Sequence, residues 1–288
     1  MPVSFTINEF YSQNQLSLVT EQIEKAVECD IDAFIVSDIG LIYKLKKENW
    51  NKTKVYLSTS ANTFNIETAK FYREFGISRI ILPRQLRIEE MKDFIKELAD
   101  LEFEVLILND KCPFIGGFCS FQHGVLEFQK AKFFKIVNNK FLLNIVDLLM
   151  HNNIAKSLRN YVIRKILRNT LACCSRYNIQ PRYLSSQYKN NFRNIRINNY
   201  FFNPKIFLYS CGICALYDLN KIGIKFIKIA GRYFHKDDKI ENVHFIKEAI
   251  RLLDCNLSKE EYFCKAKQLY QKFFGFGCSG EYCYYQLS

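Results

Sequence analysis

The stretch RIILPRQLRIEEMKDFIKELADLEFEVLIL, residues Arg79–Leu108, reads as strand, helix, strand. Its ends, Arg79–Leu82 and Glu104–Leu108, are short Ile-, Leu- and Val-rich runs bounded by polar residues, as buried strands are. The helical pattern between them covers 88–100 and carries Glu89 and Glu90 in its first turn, where carboxylates oppose the helix dipole. Two strands joined through a helix lie parallel in one sheet. The alternation continues on both sides. Upstream are strands Ser4–Asn8, Ala33–Ser37 and Val55–Ser58, with helical stretches at 17–28, 40–47 and 65–75. Downstream, a helical stretch at 213–222 ends near Gly223, strand Lys225–Ile229 follows, and helices are predicted at 241–253 and 258–273. The pattern predicts an α/β fold, a TIM-barrel-like parallel β/α barrel with a basic helical insertion. Six strands are read where a closed barrel has eight. The barrel is therefore expected to be incomplete at the N-terminus, left open, or completed by a partner subunit. The expected organisation is barrel β/α units over 1–123, a basic, largely helical insertion over 124–200, and the final strand, helices and a C-terminal cysteine pair over 201–288.

With 288 residues, 49% of them hydrophobic, the chain can bury a sizeable core. Its net charge of +12 is concentrated: segment 124–196 holds fourteen basic residues against Glu127 and Asp147, which accounts for the whole excess. Aromatic residues such as Phe133, Tyr161, Tyr183 and Phe192 interleave the cations. That pairing suits RNA, since Lys and Arg neutralise phosphates and rings stack on unpaired bases. Ile154, Leu158, Val162 and Ile166 recur every four residues, marking an amphipathic helix. A solvated helix face reads the same way.

Eleven cysteines require a chemistry. Residues 1–15 lack the basic start and apolar run of a signal peptide, and no stretch approaches about 18 consecutive apolar residues, so no membrane span is expected. A cytoplasmic chain is expected, with its cysteines serving as ligands, reactive thiols or small buried residues rather than disulfides. Cys112 and Cys119 fall just past a strand end, with Gly116 and Gly117 in the loop between them. Cys173, Cys174, Cys211 and Cys214 lie in loops between predicted elements. Four thiolates from separate loops are what an iron–sulfur cluster needs, and zinc is the chemical runner-up. Cys278 and Cys283 form a further C-x4-C pair, readable as alternative ligands or a second small metal site.

Four stretches carry a resemblance. They are DAFIVSDIGLIYKL at 32–45; VYLSTSANTFN at 55–65 with FYREFGISRIILPRQLRIEEM at 71–91; CPFIGGFCSFQHG at 112–124; and CGICALYDLNKIGIKFIKIAGR at 211–232. With them the chain resembles the U32 peptidase family, the collagenase-like group. The resemblance implies a barrel-like fold and a four-cysteine iron–sulfur cluster, 4Fe-4S in type. The ligands it implies are Cys112, Cys119, one of Cys173 or Cys174, and Cys211. About fifty residues of basic insertion separate the second of these from the third, where the family spaces them closely. Family members commonly carry Arg-Glu where this chain has Arg84-Gln85.

The family name implies proteolysis, but there is no GxSxG or HExxH motif, and His123 beside Cys119 reads as a structural or ligand-neighbouring histidine. Better-understood relatives look like cluster-dependent hydroxylases, which add oxygen to RNA bases or to a quinone precursor without molecular oxygen. For the RNA cases prephenate is the implied donor. Under that implication the strand-end polar residues Asp38, Ser58, Thr59, Asn62, Arg84, Lys228 and Arg232 position the substrate, each with a structural ion pair or loop cap as its alternative. Three functions therefore stand: a hydroxylase of RNA or a small aromatic molecule, a peptidase, and a non-catalytic partner subunit.

Overall fold

The computed structural model describes residues 2–48, 53–109, 111–112, 116, 210–231, 236–278, 280 and 282–285. They belong to one compact unit built from Met1–Phe118 and Lys205–Ser288. The basic insertion expected at 124–200 lies outside the described residues. Strands β1 (Ser4–Ile7), β2 (Ala33–Val36), β3 (Lys54–Leu57), β4 (Arg79–Ile81), β5 (Glu102–Leu108) and β6 (Phe226–Ile229) form one sheet in sequence order, each parallel to the next. Helices α1 (Gln13–Glu28), α2 (Ile39–Lys47), α3 (Ile66–Glu74) and α4 (Ile88–Glu97) join β1 through β5. A 3-10 turn, Ile213–Ala215, leads into α5 (Leu216–Lys221) before β6, and α6 (Lys236–Arg251) and α7 (Lys259–Phe274) follow it. The sheet is a curled half-barrel, and β1 and β6 are its edges among the described residues. The incomplete α/β barrel read from the sequence is therefore the observed fold. No helix among the described residues is long and apolar enough to cross a membrane.

The register explains the core. Val36, Leu57, Ile80 and Phe103 form one row across four strands, all buried. Phe103 meets Phe94 of α4 edge to face, so this row lies on the helix-covered side. Val19 and Ile23 of α1, Leu41, Ile42 and Leu45 of α2, and Met91 of α4 complete the core. The opposite row, Tyr56, Arg79 and Glu102, is polar. The Arg79 guanidinium donates to Glu102 at 2.8 and 2.9 Å and to Glu104 at 3.2 Å. It lies 4.2 Å from the Tyr56 ring centroid and 3.4 Å from that of Phe226.

Helix ends differ from the sequence reading where capping decides them. α1 begins at Gln13 rather than 17, because the Gln15 side chain accepts the Ser12 amide at 2.9 Å and closes a capping box. α6 begins at Lys236 rather than 241, with Asp237 and Asp238 in its first turn. The helix expected over 213–222 opens as the 3-10 turn.

Candidate functional site at the carboxyl ends of the strands

Parallel β/α sheets expose their chemistry where the strands end, since the loops there come from several strands at once. After β2, Asp38 caps α2, accepting the Leu41 amide at 2.8 Å, and also takes the Tyr11 amide at 3.2 Å. After β3, Ser58 accepts the Ser60 amide at 3.4 Å, Thr59 opens the turn Thr59–Ala61, and Asn62 closes it in the left-handed region at φ 56°. The loop beyond Cys112 lies directly on that turn: a Cβ on Gly116 would stand 3.0 Å from the Ser60 Oγ and 3.1 Å from its Cα. After β5, Asn109 takes φ 62° and donates through Nδ2 to the Ala230 carbonyl at 3.2 Å, tying the ends of β5 and β6 together.

Three buried side-chain atoms at this rim have no hydrogen-bond partner: Ser37 Oγ after β2, Thr63 Oγ1 after the β3 turn, and Arg84 Nε after β4. Ser37 and Thr63 are each 1% exposed. Buried polar groups are almost always paired, so three orphans following consecutive strands mark a place that a polar ligand would complete. Arg84 also lies close enough to Tyr285 for its charge to oppose the upward shift that burial imposes on that phenol.

Of the substrate-binding residues proposed from sequence, Asp38, Thr59, Asn62 and Arg84 share this rim. Lys228 lies within β6, paired with Glu104 at 3.5 Å in the Arg79 ladder. Arg232 is outside the described residues.

Eight of the eleven cysteines are described, and none forms a disulfide. Cys119, Cys173 and Cys174 lie outside the described residues, while Cys112 is half-buried after β5. Cys211 is buried beside the end of β5: it bridges Leu108 on one side and Cys283 on the other. The Gly212 amide donates to the Ile107 carbonyl at 2.8 Å. Burial pushes the Cys211 thiol well up and Cys214 up to about 12, and neighbouring Cys278 and Cys283 push both further. The C-terminal segment closes over β5. The Tyr285 hydroxyl donates to the Leu106 carbonyl at 2.7 Å, and the Tyr284 hydroxyl donates to the Asn109 carbonyl. Among the described residues, no three His, Cys, Asp or Glu side chains converge closely enough to hold an ion as they stand.

Sequence reading passed over Ser37, Thr63, Tyr284, Tyr285 and Lys111, whose ammonium donates to the Cys283 carbonyl. Ser37 adjoins a residue that was chosen and had a usable signal, a hydroxyl one step past a strand. The tyrosines had none, because their partners lie more than 170 positions away.

Six parallel strands in sequence order, with polar and thiol side chains gathered at their carboxyl ends, define a protein of the β/α-barrel class. Residues 2–131 match the family model for Peptidase family U32, and over that segment the chain belongs to the family. It is similar to the tRNA hydroxylation protein P of Helicobacter pylori (strain J99), 35% identical over 114 residues, covering 40% of this chain and 27% of that protein. The Escherichia coli (strain K12) tRNA hydroxylation protein P is 33% identical over 105 residues, covering 36% and 23%. The 23S rRNA 5-hydroxycytidine C2501 synthase of the same strain is 25% identical over 118 residues, covering 41% and 17%. The chain thus spans about a quarter or less of the length of these relatives. No solved structure matches it.

Proposed function

We propose that this chain serves RNA hydroxylation, with the rim at the carboxyl ends of β2 to β4 receiving the RNA base. One coincidence carries the reading: relatives named for tRNA and rRNA hydroxylation match the same β/α segment whose strand ends hold the orphaned Ser37, Thr63 and Arg84 groups. Hydroxyl and guanidinium groups buried without partners suit a base edge, which offers both donors and acceptors. The basic, aromatic-rich segment 124–196 supplies charge for the phosphate backbone. Asp38 and Asn62 shape the rim, because both are committed to capping and turn geometry.

The implied cofactor is an iron–sulfur cluster, and the chemistry it supplies when bound is electron transfer. Cys211 fits a ligand's part: it is buried at the end of β5, and the Ile213 amide points at its sulfur from 3.5 Å. Cys112, Cys119 and one of Cys173 or Cys174 complete the set that the family resemblance implies. The test is nucleoside mass spectrometry of tRNA and rRNA from cells with and without the gene. One nucleoside is expected to lose the mass of one oxygen atom when the gene is deleted. Unchanged nucleosides in both RNA classes would refute the proposal.

A further inference from the structure

Four thiols far apart in sequence are gathered by backbone pairing. Cys211 and Cys283 are partners in a parallel bridge, with the Cys211 amide donating to the Tyr282 carbonyl and the Tyr284 amide to the Cys211 carbonyl, both at 2.9 Å. Residues paired in this way present their side chains to the same side. Cys214 follows in the 3-10 turn Ile213–Ala215, whose first amide donates to the Cys211 sulfur at 3.5 Å. Cys278 hydrogen-bonds to Cys283 side chain to side chain. Cys211 lies within electrostatic reach of all three other thiols.

The chemistry of this quartet is that of a soft-metal site. C-x2-C followed by C-x4-C has the ligand spacing of four-sulfur centres. An amide aimed at a sulfur stabilises a bound thiolate, and such hydrogen bonds tune thiolate centres. Four thiolates around a divalent ion leave net negative charge, and two cations stand by to offset it: Lys111 acts on Cys283, and Lys267 on both Cys214 and Cys283. Cys214 and Cys278 pack against the hydrophobic core, which restricts water.

We propose that Cys211, Cys214, Cys278 and Cys283 form a four-thiolate metal centre at the carboxyl end of β5, for a zinc-type ion or an iron–sulfur cluster. On binding, the thiols turn inward, each about its single χ1 torsion. The centre draws nothing from residues 119–204. It shares only Cys211 with the ligand set of the family resemblance, so the two sets compete for that sulfur. The proposal is independent of whether the chain hydroxylates RNA.

The experiment uses the full chain, prepared anaerobically with zinc or with iron and sulfide, then assayed for both metals and acid-labile sulfide. The loaded protein is alkylated, and its cysteine-containing peptides are mapped by mass spectrometry before and after chelation. Cys211, Cys214, Cys278 and Cys283 are expected to be protected until the chelator strips the metal, while the exposed Cys29, Cys255 and Cys264 react at once. Iron with sulfide identifies a cluster, and zinc without sulfide a single ion. Cys214→Ser and the double change Cys278→Ser with Cys283→Ser should lose the metal, and Cys119→Ser should keep it. Protein that takes up no metal would overturn the proposal. So would free alkylation of Cys278 and Cys283 in loaded protein, or metal retained by the double variant. The protection map is read on the unaltered chain, so a misfolded variant does not obscure it.

Discussion

Gly212 shows how a single residue sets the thiol end of the sheet. A Cβ there would stand 2.9 Å from Ile107 Cδ1 and 3.2 Å from Tyr284 Cβ, so β5 and the C-terminal segment can close on Cys211 only around a glycine. Gly212→Ala is expected to lower stability by roughly 1–3 kcal/mol, as overpacking does, measured by denaturant unfolding. Ser37 makes the opposite case. Its buried hydroxyl has no partner, so Ser37→Ala is expected to leave stability unchanged or raise it by about 1 kcal/mol while weakening RNA binding. Binding and unfolding measured on the same variant check both halves. Asp38 and Arg84 were legible as rim residues because the strands preceding them were legible. The orphaning of Ser37 was not, since the lack of a partner is a property of the packed molecule.

At the scale of elements, the Arg79 ladder and the helix caps give separate expectations. Glu104 is 8% exposed and joins Arg79 and Lys228, so Glu104→Ala strands two cations beside aromatic rings. A loss of roughly 3–5 kcal/mol is expected on unfolding, the usual cost of breaking a buried pair. Capping makes two helices acid-sensitive. The Arg87 amide, donating at 2.8 Å, holds the Glu90 carboxyl below its ordinary value, and the Ser258 amide does the same for Glu261. A depressed folded pKa contributes stability above the unfolded value of about 4.3, and that contribution is lost as pH falls through the folded value. Glu90→Gln should therefore flatten the acid side of the stability–pH curve and leave its neutral side unchanged, as thermal melts across pH would show. The strands were readable from their aliphatic runs. The ladder was not, because Arg79 finds Glu102 and Glu104 only through the register of β4 on β5.

For the molecule as a whole, the order of β/α units and the half-barrel they build were open to reading, because each unit is local in sequence. The thiol quartet was not. Cys211 and Cys214 were visible as a pair and Cys278 and Cys283 as another, but the bridge joining them is a long-range pairing that no spacing reveals. The family likeness pointed instead to Cys112, Cys119 and the insertion. The functional account unites the rim with RNA hydroxylation, and Arg84 is where the two meet, as the one charged group among the rim's orphans. The most direct measurement is the hydroxylated-nucleoside content of RNA from gene-deleted cells that re-express either the unaltered chain or Arg84→Ala at equal protein level. The account predicts that the unaltered chain restores the nucleoside and Arg84→Ala does not. Full restoration by Arg84→Ala would contradict it.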